Sequence, residues 1–278
     1  MFEPTNRRAV AHAAVAITLI VATTTLLGGC MRSSVVNRDQ LILMSTQKEM
    51  ELGTKAFAET LKKEPQCTNA AAAAHLRGIG TQIAQVSHKP GWAWDFRLLK
   101  KPILNAFALP GGKVAVFAAL YKPLQNEASL AAVMGHEVAH AIARHGAERI
   151  SRTMMVNAGL KAAQVAVEDP KQHDQIFGAL GLGAHVGLML PFSREMELEA
   201  DGIGLMYMAK AGYDPNEAIA FWQRFGKLTG QQVELLSTHP ASPTRVANLR
   251  KLMPKAMALY NQSAKRGKGR PLAVPSCP

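Results

Sequence analysis

The sequence predicts an α+β domain, mainly helical, with one small antiparallel sheet near residue 100. Three observations predict it. Capped, amphipathic stretches of helical length fill most of the chain, and the hydrophobic period shortens to two only between residues 94 and 118. No segment recurs at a fixed spacing, which excludes a helical solenoid. Composition agrees: of 278 residues, 48% are hydrophobic and 19% charged, which excludes a disordered chain or a fibre and suffices for a sizeable core.

The N-terminal segment comes first. Arg7 and Arg8 precede an uncharged apolar run, Ala9 to Leu27, that ends in Leu27-Gly28-Gly29-Cys30. Positive end, apolar run and small residues follow the order of a secretory signal, although the run is also long enough to be a retained membrane anchor. Its ending resembles the lipobox of bacterial lipoproteins. That resemblance implies a signal peptide over residues 1–29 and acylation of Cys30 as the mature N-terminus. Met31, which is not Asp, implies outer-membrane sorting as in enterobacterial lipoproteins. Residues 30–44 then read as a lipid-anchored tether, 45–260 as the domain and 261–278 as a basic tail.

Within the domain, a helix starts at Thr46, with Glu49 as a capping-box partner, and runs to Lys63. Asn69 caps an alanine-rich helix to Val86, which Pro90-Gly91 breaks. Trp94, Phe96 and Leu98 alternate with Asp95 and Arg97 in a first strand. Leu104 to Leu109 forms a second, Pro110-Gly111-Gly112 a tight turn, and Lys113 to Phe117 a third. Asn126 caps a long helix reaching Ile150. Residues 153–190 read as mostly helical, with the nearly uncharged Phe177–Phe192 as a buried helix or a lid. Ser193 caps a helix to Ala211, Asp214-Pro215 opens one to Leu228, and a last helix runs from Pro243 to Leu259.

The formal net charge is +12, from 32 Lys and Arg against 20 Asp and Glu. Much of it lies at the C-terminal end, where Lys251, Lys255, Lys265, Arg266, Lys268 and Arg270 stand without an acid. This reads as a solvated, mobile tail, with contact to anionic lipid as the sharper alternative. No nucleic-acid motif or basic–aromatic stripe is present, so nucleic acid is not expected as a partner. Once Cys30 is acylated, Cys67 and Cys277 remain as an even pair that can bridge in an oxidising compartment and pin the tail.

The chemistry centres on His136-Glu137-Val138-Ala139-His140 inside the capped helix. A four-residue spacing leaves the two imidazoles about 40° apart on one helix face, where both can meet one Zn²⁺ at ~2.0–2.1 Å. Glu137, offset by about 100°, faces a water whose pKa zinc lowers to ~7, and can take its proton. A catalytic zinc needs a third protein ligand. The helix after Ser193 offers Glu197 and Asp201 on one face, and Glu195 and Glu199 on another. His145, nine residues past His136, is turned about 180° from the metal and reads as structural.

These segments resemble metallopeptidase family forty-eight, the gluzincins. Matching stretches are Asn105-Ala106-Phe107-Ala108-Leu109-Pro110-Gly111-Gly112, Gly135 to His140 with Arg144-His145, Ser193-Arg194 through Glu197-Leu198-Glu199-Ala200-Asp201, and Ser237-Thr238-His239-Pro240 with Arg245. The similarity spans nearly the whole mature chain and is nearest to the branch of small periplasmic lipoproteins and mitochondrial Oma-type proteases. It implies a zincin-like domain with one Zn²⁺ per chain, held by His136, His140 and Glu197, with Glu137 as general base. It further implies that Asp201 orients a ligand histidine, that His239 approaches the metal in a resting state, and that Arg245 lies near enough to steady an oxyanion. The strand at Asn105, Ala106, Phe107 and Ala108 would add an extended substrate peptide along its edge. The expected activity is endoproteolysis of misfolded or misassembled envelope proteins by a periplasmic enzyme, lipid-anchored at the inner leaflet of the outer membrane. The rival reading is a chaperone or outer-membrane assembly factor that uses the same groove with little cleavage.

Overall fold

The computed structural model describes residues 30–32, 35–166, 192–228, 235, 238–239 and 242–277. The expected signal segment, residues 1–29, and nearly all of the expected lid lie outside these residues. A short antiparallel ribbon, β1 (Cys30–Arg32) and β2 (Asp39–Leu41), precedes α1 (Thr46–Lys63) and α2 (Ala70–Gln85). Three strands follow: β3 (Asp95–Leu99), β4 (Ala106–Leu109) and β5 (Lys113–Phe117). Then come α3 (Glu127–Ile142), α4 (His145–Ala166), α5 (Arg194–Lys210), α6 (Asn216–Phe225) and α7 (Pro243–Gln262). Among the described residues, no helix is long and apolar enough to cross a membrane.

Caps set the helix starts. Ser45, Asn69, Asn126, Ser193 and Ser242 each accept a hydrogen bond from a first-turn backbone N–H, satisfying donors that would otherwise be orphaned. Glu49 does not close a capping box. It is one residue too far along from Ser45, and its buried carboxylate accepts instead from Arg144 Nε at 2.7 Å.

The sheet is mixed, which corrects the antiparallel expectation. Its order is β3-β5-β4, with β3 parallel and β4 antiparallel to β5. Gly111 and Gly112, at φ 82° and 78°, make the turn that joins β4 to β5. The Val114-Ala115-Val116-Phe117 run is buried throughout, the pattern of a central strand covered on both faces, so β5 takes the middle. Pro102 lacks an N–H and sits in the bend between β3 and β4, which do not pair with each other. β4 is therefore an edge strand and is only half-buried.

The helix expected to run from Asn126 to Ile150 is two helices. It stops at Ile142, Arg144 takes a left-handed φ of 58°, and a new helix starts at His145. The core lies between the sheet, α2, α3, α5 and α6, with Leu76, Ile83, Leu130, Met134, Leu205 and Phe221 fully buried. Each such side chain contributes about 1.5–3 kcal/mol over an exposed one.

Helices α3 and α5 cross at two glycines. A Cβ on Gly135 would stand 2.8 Å from Gly204 O, and one on Gly204 would stand 2.7 Å from His136 N. Only glycine at both positions lets the backbones come this close, and the crossing puts Glu197 and Asp201 beside His136.

The basic tail is not a free arm. Lys268 O and Arg270 O accept from the first N–H groups of α3, and Arg270 pairs with Glu127 and Lys268 with Glu217. A Cys67–Cys277 disulfide ties the far end of the tail to the start of α2. Its acidic partners lie on α3 and α6, far away in sequence, so composition alone showed only unpaired cations.

Candidate metal centre

Four groups converge between α3, α5 and the turn before α7. Ligand atoms of His136, His140, Glu197 and His239 all lie within 4.8 Å of one another, and all four residues are buried. His136 Nε2 stands 3.1 Å from His140 Nε2 and 3.4 Å from Glu197 Oε2. His140 Nε2 is 3.4 Å from Glu197 Oε1. His239 Nδ1 closes the fourth corner, 3.2 Å from His136 Nε2 and 2.9 Å from Glu197 Oε1. Ligands at ~2.0–2.1 Å around a tetrahedral ion stand roughly 3.3–3.4 Å apart, so the spacings match those of a zinc site. The donor set fits as well: two imidazoles from one helix face and a carboxylate are a catalytic zinc's protein ligands, leaving one further position.

Glu137 is buried beside the cluster and is not part of it. Among the described residues its Oε1 has no hydrogen-bond partner, and it lies 3.6 Å from His239 Nε2. A buried carboxylate oxygen left this way is costly unless the site receives a partner for it.

The ligands are held from behind. His136 Nδ1 is 3.0 Å from Asp201 Oδ1, which fixes the ring with its Nε2 toward the cluster. Arg245 forks onto Asp201 through Nε and Nη2, both at 2.6 Å, and places Nη1 2.9 Å from Glu197 Oε2. Its guanidinium also lies 3.8 Å from the Trp222 ring centroid. It is thus committed to the carboxylates behind the metal position, a geometry that fits holding ligands better than steadying an oxyanion.

Burial opposes ionisation of Glu197, Asp201 and Glu199, but hydrogen bonds to each hold it below the usual carboxylate range. Those bonds come from His136, His140 and His239 to Glu197, from Arg245 and His136 to Asp201, and from His145 and Arg38 to Glu199. Burial likewise pushes His140 and His145 down toward the neutral form. His136 goes up to about 9 despite its burial, because Asp201 and Glu197 flank it. Folded-state depression makes carboxylates contribute stability above their ordinary range, lost as pH falls through it, and neutral buried histidines lose stability below about pH 6.5. Below that pH the depressed groups all act in one direction. The thermal midpoint is therefore expected to fall steadily from about pH 6.5 to about 3.5 in a calorimetric series, and a midpoint that holds or rises would contradict the assignment.

Glu199 points away from the cluster, as the helical rotation from Glu197 predicts. It is nonetheless engaged: its Oε2 is 3.0 Å from His145 Nε2. The expectation for His145 was wrong in direction. The break at Arg144 restarts the helix and returns the His145 ring to His140, with Nδ1 to Nδ1 at 3.0 Å. Neither Ala143 nor Arg144 is a breaker by type, so no local signal marked the turn. Arg38 and Trp222 were missed outright.

The edge strand β4 carries Ala106, Phe107 and Ala108, while Asn105 precedes it, buried, its O accepting from Phe117 N. Leu104 O accepts from Leu235 N, and His239 N donates to Leu235 O, which links the start of this edge to the His239 turn. A cleft of about 120 Å³ opens beside Glu197, walled by Phe192, Leu198, Ser242 and Thr244. Cys30 begins β1.

Residues 70–253 match the sequence profile of peptidase family M48. The mitochondrial metalloendopeptidase OMA1 of Schizosaccharomyces pombe is 40% identical over 180 residues, covering 63% of this chain and 51% of that protein. The protein of the same name from Saccharomyces cerevisiae is 30% identical over 281 residues, 86% of this chain and 75% of its own length. The beta-barrel assembly-enhancing protease of Escherichia coli K12 is 26% identical over 215 residues, 74% of this chain and 44% of its own. The chain thus spans about half the length of the fission-yeast relative and less than half of the bacterial one.

Proposed function

This chain belongs to peptidase family M48, and from that premise we propose that it is a zinc-dependent endopeptidase acting on misfolded or misassembled proteins of a bacterial envelope. The observation that carries the proposal is the cluster itself: His136, His140 and Glu197 at the spacings of a tetrahedral ion, with the Glu137 carboxylate buried beside them. Zinc held there supplies a Lewis acid that polarises a scissile carbonyl and acidifies water. Glu137 accepts the proton of the attacking water and returns it to the leaving amide nitrogen. The β4 edge holds the substrate extended through backbone hydrogen bonds, which are indifferent to sequence and suit unfolded polypeptides. His239 fills the fourth corner in the resting arrangement and has to give way to substrate. Asp201, held by Arg245, keeps His136 correctly turned, and the three histidines keep Glu197 ionised.

We place the enzyme on the periplasmic side, anchored through an acyl chain on Cys30 at the outer membrane. The ordered sequence of Arg7-Arg8, apolar run and Leu-Gly-Gly-Cys supports this. One preparation tests both parts. Purified chain is expected to cleave casein, to stop when zinc is chelated and to resume when zinc is returned. Grown with a palmitate analogue, it is expected to be labelled, and its Cys30→Ser variant is not. Casein left intact by zinc-replete chain would refute the activity, and equal labelling of the two forms would refute the anchor.

A further inference from the structure

The two metal-ligand histidines are braced differently. His136 Nδ1 meets a carboxylate directly, at Asp201. His140 Nδ1 meets another imidazole, His145 Nδ1, at 3.0 Å. That ring passes the contact on: His145 Nε2 is 3.0 Å from Glu199 Oε2, and Glu199 is gripped by Arg38 through Nε at 2.6 Å and Nη2 at 3.0 Å. The same guanidinium forks onto Glu148 through Nη1 at 2.9 Å and Nη2 at 2.8 Å. Gln40, buried on β2, donates to Glu148 Oε2 at 2.9 Å and to Ala143 O at 2.7 Å, at the very break that returns His145 to the site. His145 and Glu148 are fully buried, and Arg38 and Glu199 mostly so.

We propose that Arg38, Glu199 and His145 form a positioning relay, through which the N-terminal ribbon sets the orientation and tautomer of the zinc ligand His140. The inference rests on the zinc reading above. Its proton order is self-consistent. A His140 that ligates through Nε2 carries its proton on Nδ1 and donates it to His145 Nδ1. His145 is then protonated on Nε2 and donates to the Glu199 carboxylate, whose charge Arg38 balances. Every donor meets an acceptor, and no proton is left over. The arrangement extends the usual carboxylate–histidine–metal support by one imidazole and brings its far end to a segment before α1, outside the metalloprotease motif. Arg38 touches neither metal nor substrate, and its path to His140 runs through Glu199 and His145.

The full-length chain, loaded with zinc or with Co²⁺ as a spectroscopic probe, tests this. Arg38→Met and His145→Phe are each expected to raise the zinc Kd by ~10–100-fold and to shift the visible bands of the Co²⁺ form. Combined, they should do no more than the worse of the two. His145→Asn keeps an acceptor near the Nδ1 position but cannot reach Glu199. It should therefore raise the zinc Kd about as far as Arg38→Met does and make Arg38→Met silent in its background, which a general loss of stability would not do. This second background decides the matter even if His145→Phe fails to fold. The relay is overturned if Arg38→Met leaves the zinc Kd and the Co²⁺ bands unchanged, or costs as much in the His145→Asn background as in the wild type. A wild-type chain that binds no zinc overturns the metal site itself, and the relay with it.

Discussion

Replacing Glu137 with Gln is expected to leave zinc bound at one per chain while casein cleavage falls by roughly 10²–10⁴-fold. At 1.36 kcal/mol per decade that is about 3–5 kcal/mol of lost transition-state stabilisation. The reason is geometric. Glu137 lies beside the cluster and contributes no atom to it, so an amide of the same shape removes the proton acceptor and keeps every ligand. Metal analysis and initial rates on the same preparation check the split. A chaperone working through the same groove would keep its activity in this variant, so an unimpaired Glu137→Gln would favour that reading over an enzyme.

The second large effect belongs to Glu197→Ala. It removes a ligand and also strips Arg245 Nη1, His136 and His239 of a buried anionic partner. Breaking a buried ionic network from one side costs about 3–5 kcal/mol. Zinc should therefore be lost, cleavage abolished and the thermal midpoint lowered together. Glu199→Ala separates the two faces of α5. Glu199 contacts His145 and Arg38 and lies outside the cluster, so this variant should bind zinc more weakly and still reach full occupancy at excess metal. A zinc-replete, active Glu197→Ala beside a zinc-free Glu199→Ala would put the ligand on the other face of α5 and contradict this assignment.

Much of this site was legible because its core is local. His136, Glu137 and His140 sit within one helical turn and a half, behind a cap that Asn126 announces. Gly135 stands in the sequence just before the motif, and only the structure shows what it does there, packing against its counterpart Gly204. The third ligand was not fixed by spacing, since Glu197 and Glu199 face opposite ways on α5 and either face suits an isolated helix. What selects Glu197 is the glycine crossing, a tertiary fact. The break at Arg144 was illegible for a similar reason. Ala143 and Arg144 are good helix formers, and the turn is held by Gln40 on Ala143 O and Glu49 on Arg144, residues far away in sequence. The sheet's direction was misjudged because adjacent strands in sequence were paired, whereas the unbroken apolar run of β5 already marked it as the central strand.

The proposed function stands on one zinc, held by His136, His140 and Glu197 and used for peptide hydrolysis. Zinc stoichiometry and casein cleavage, measured together on purified wild type and on Glu197→Ala, test it most directly. One zinc per chain with cleavage is expected in the wild type, and neither in the variant. A wild type that cleaves casein without zinc, or a Glu197→Ala chain that keeps both metal and activity, would contradict it.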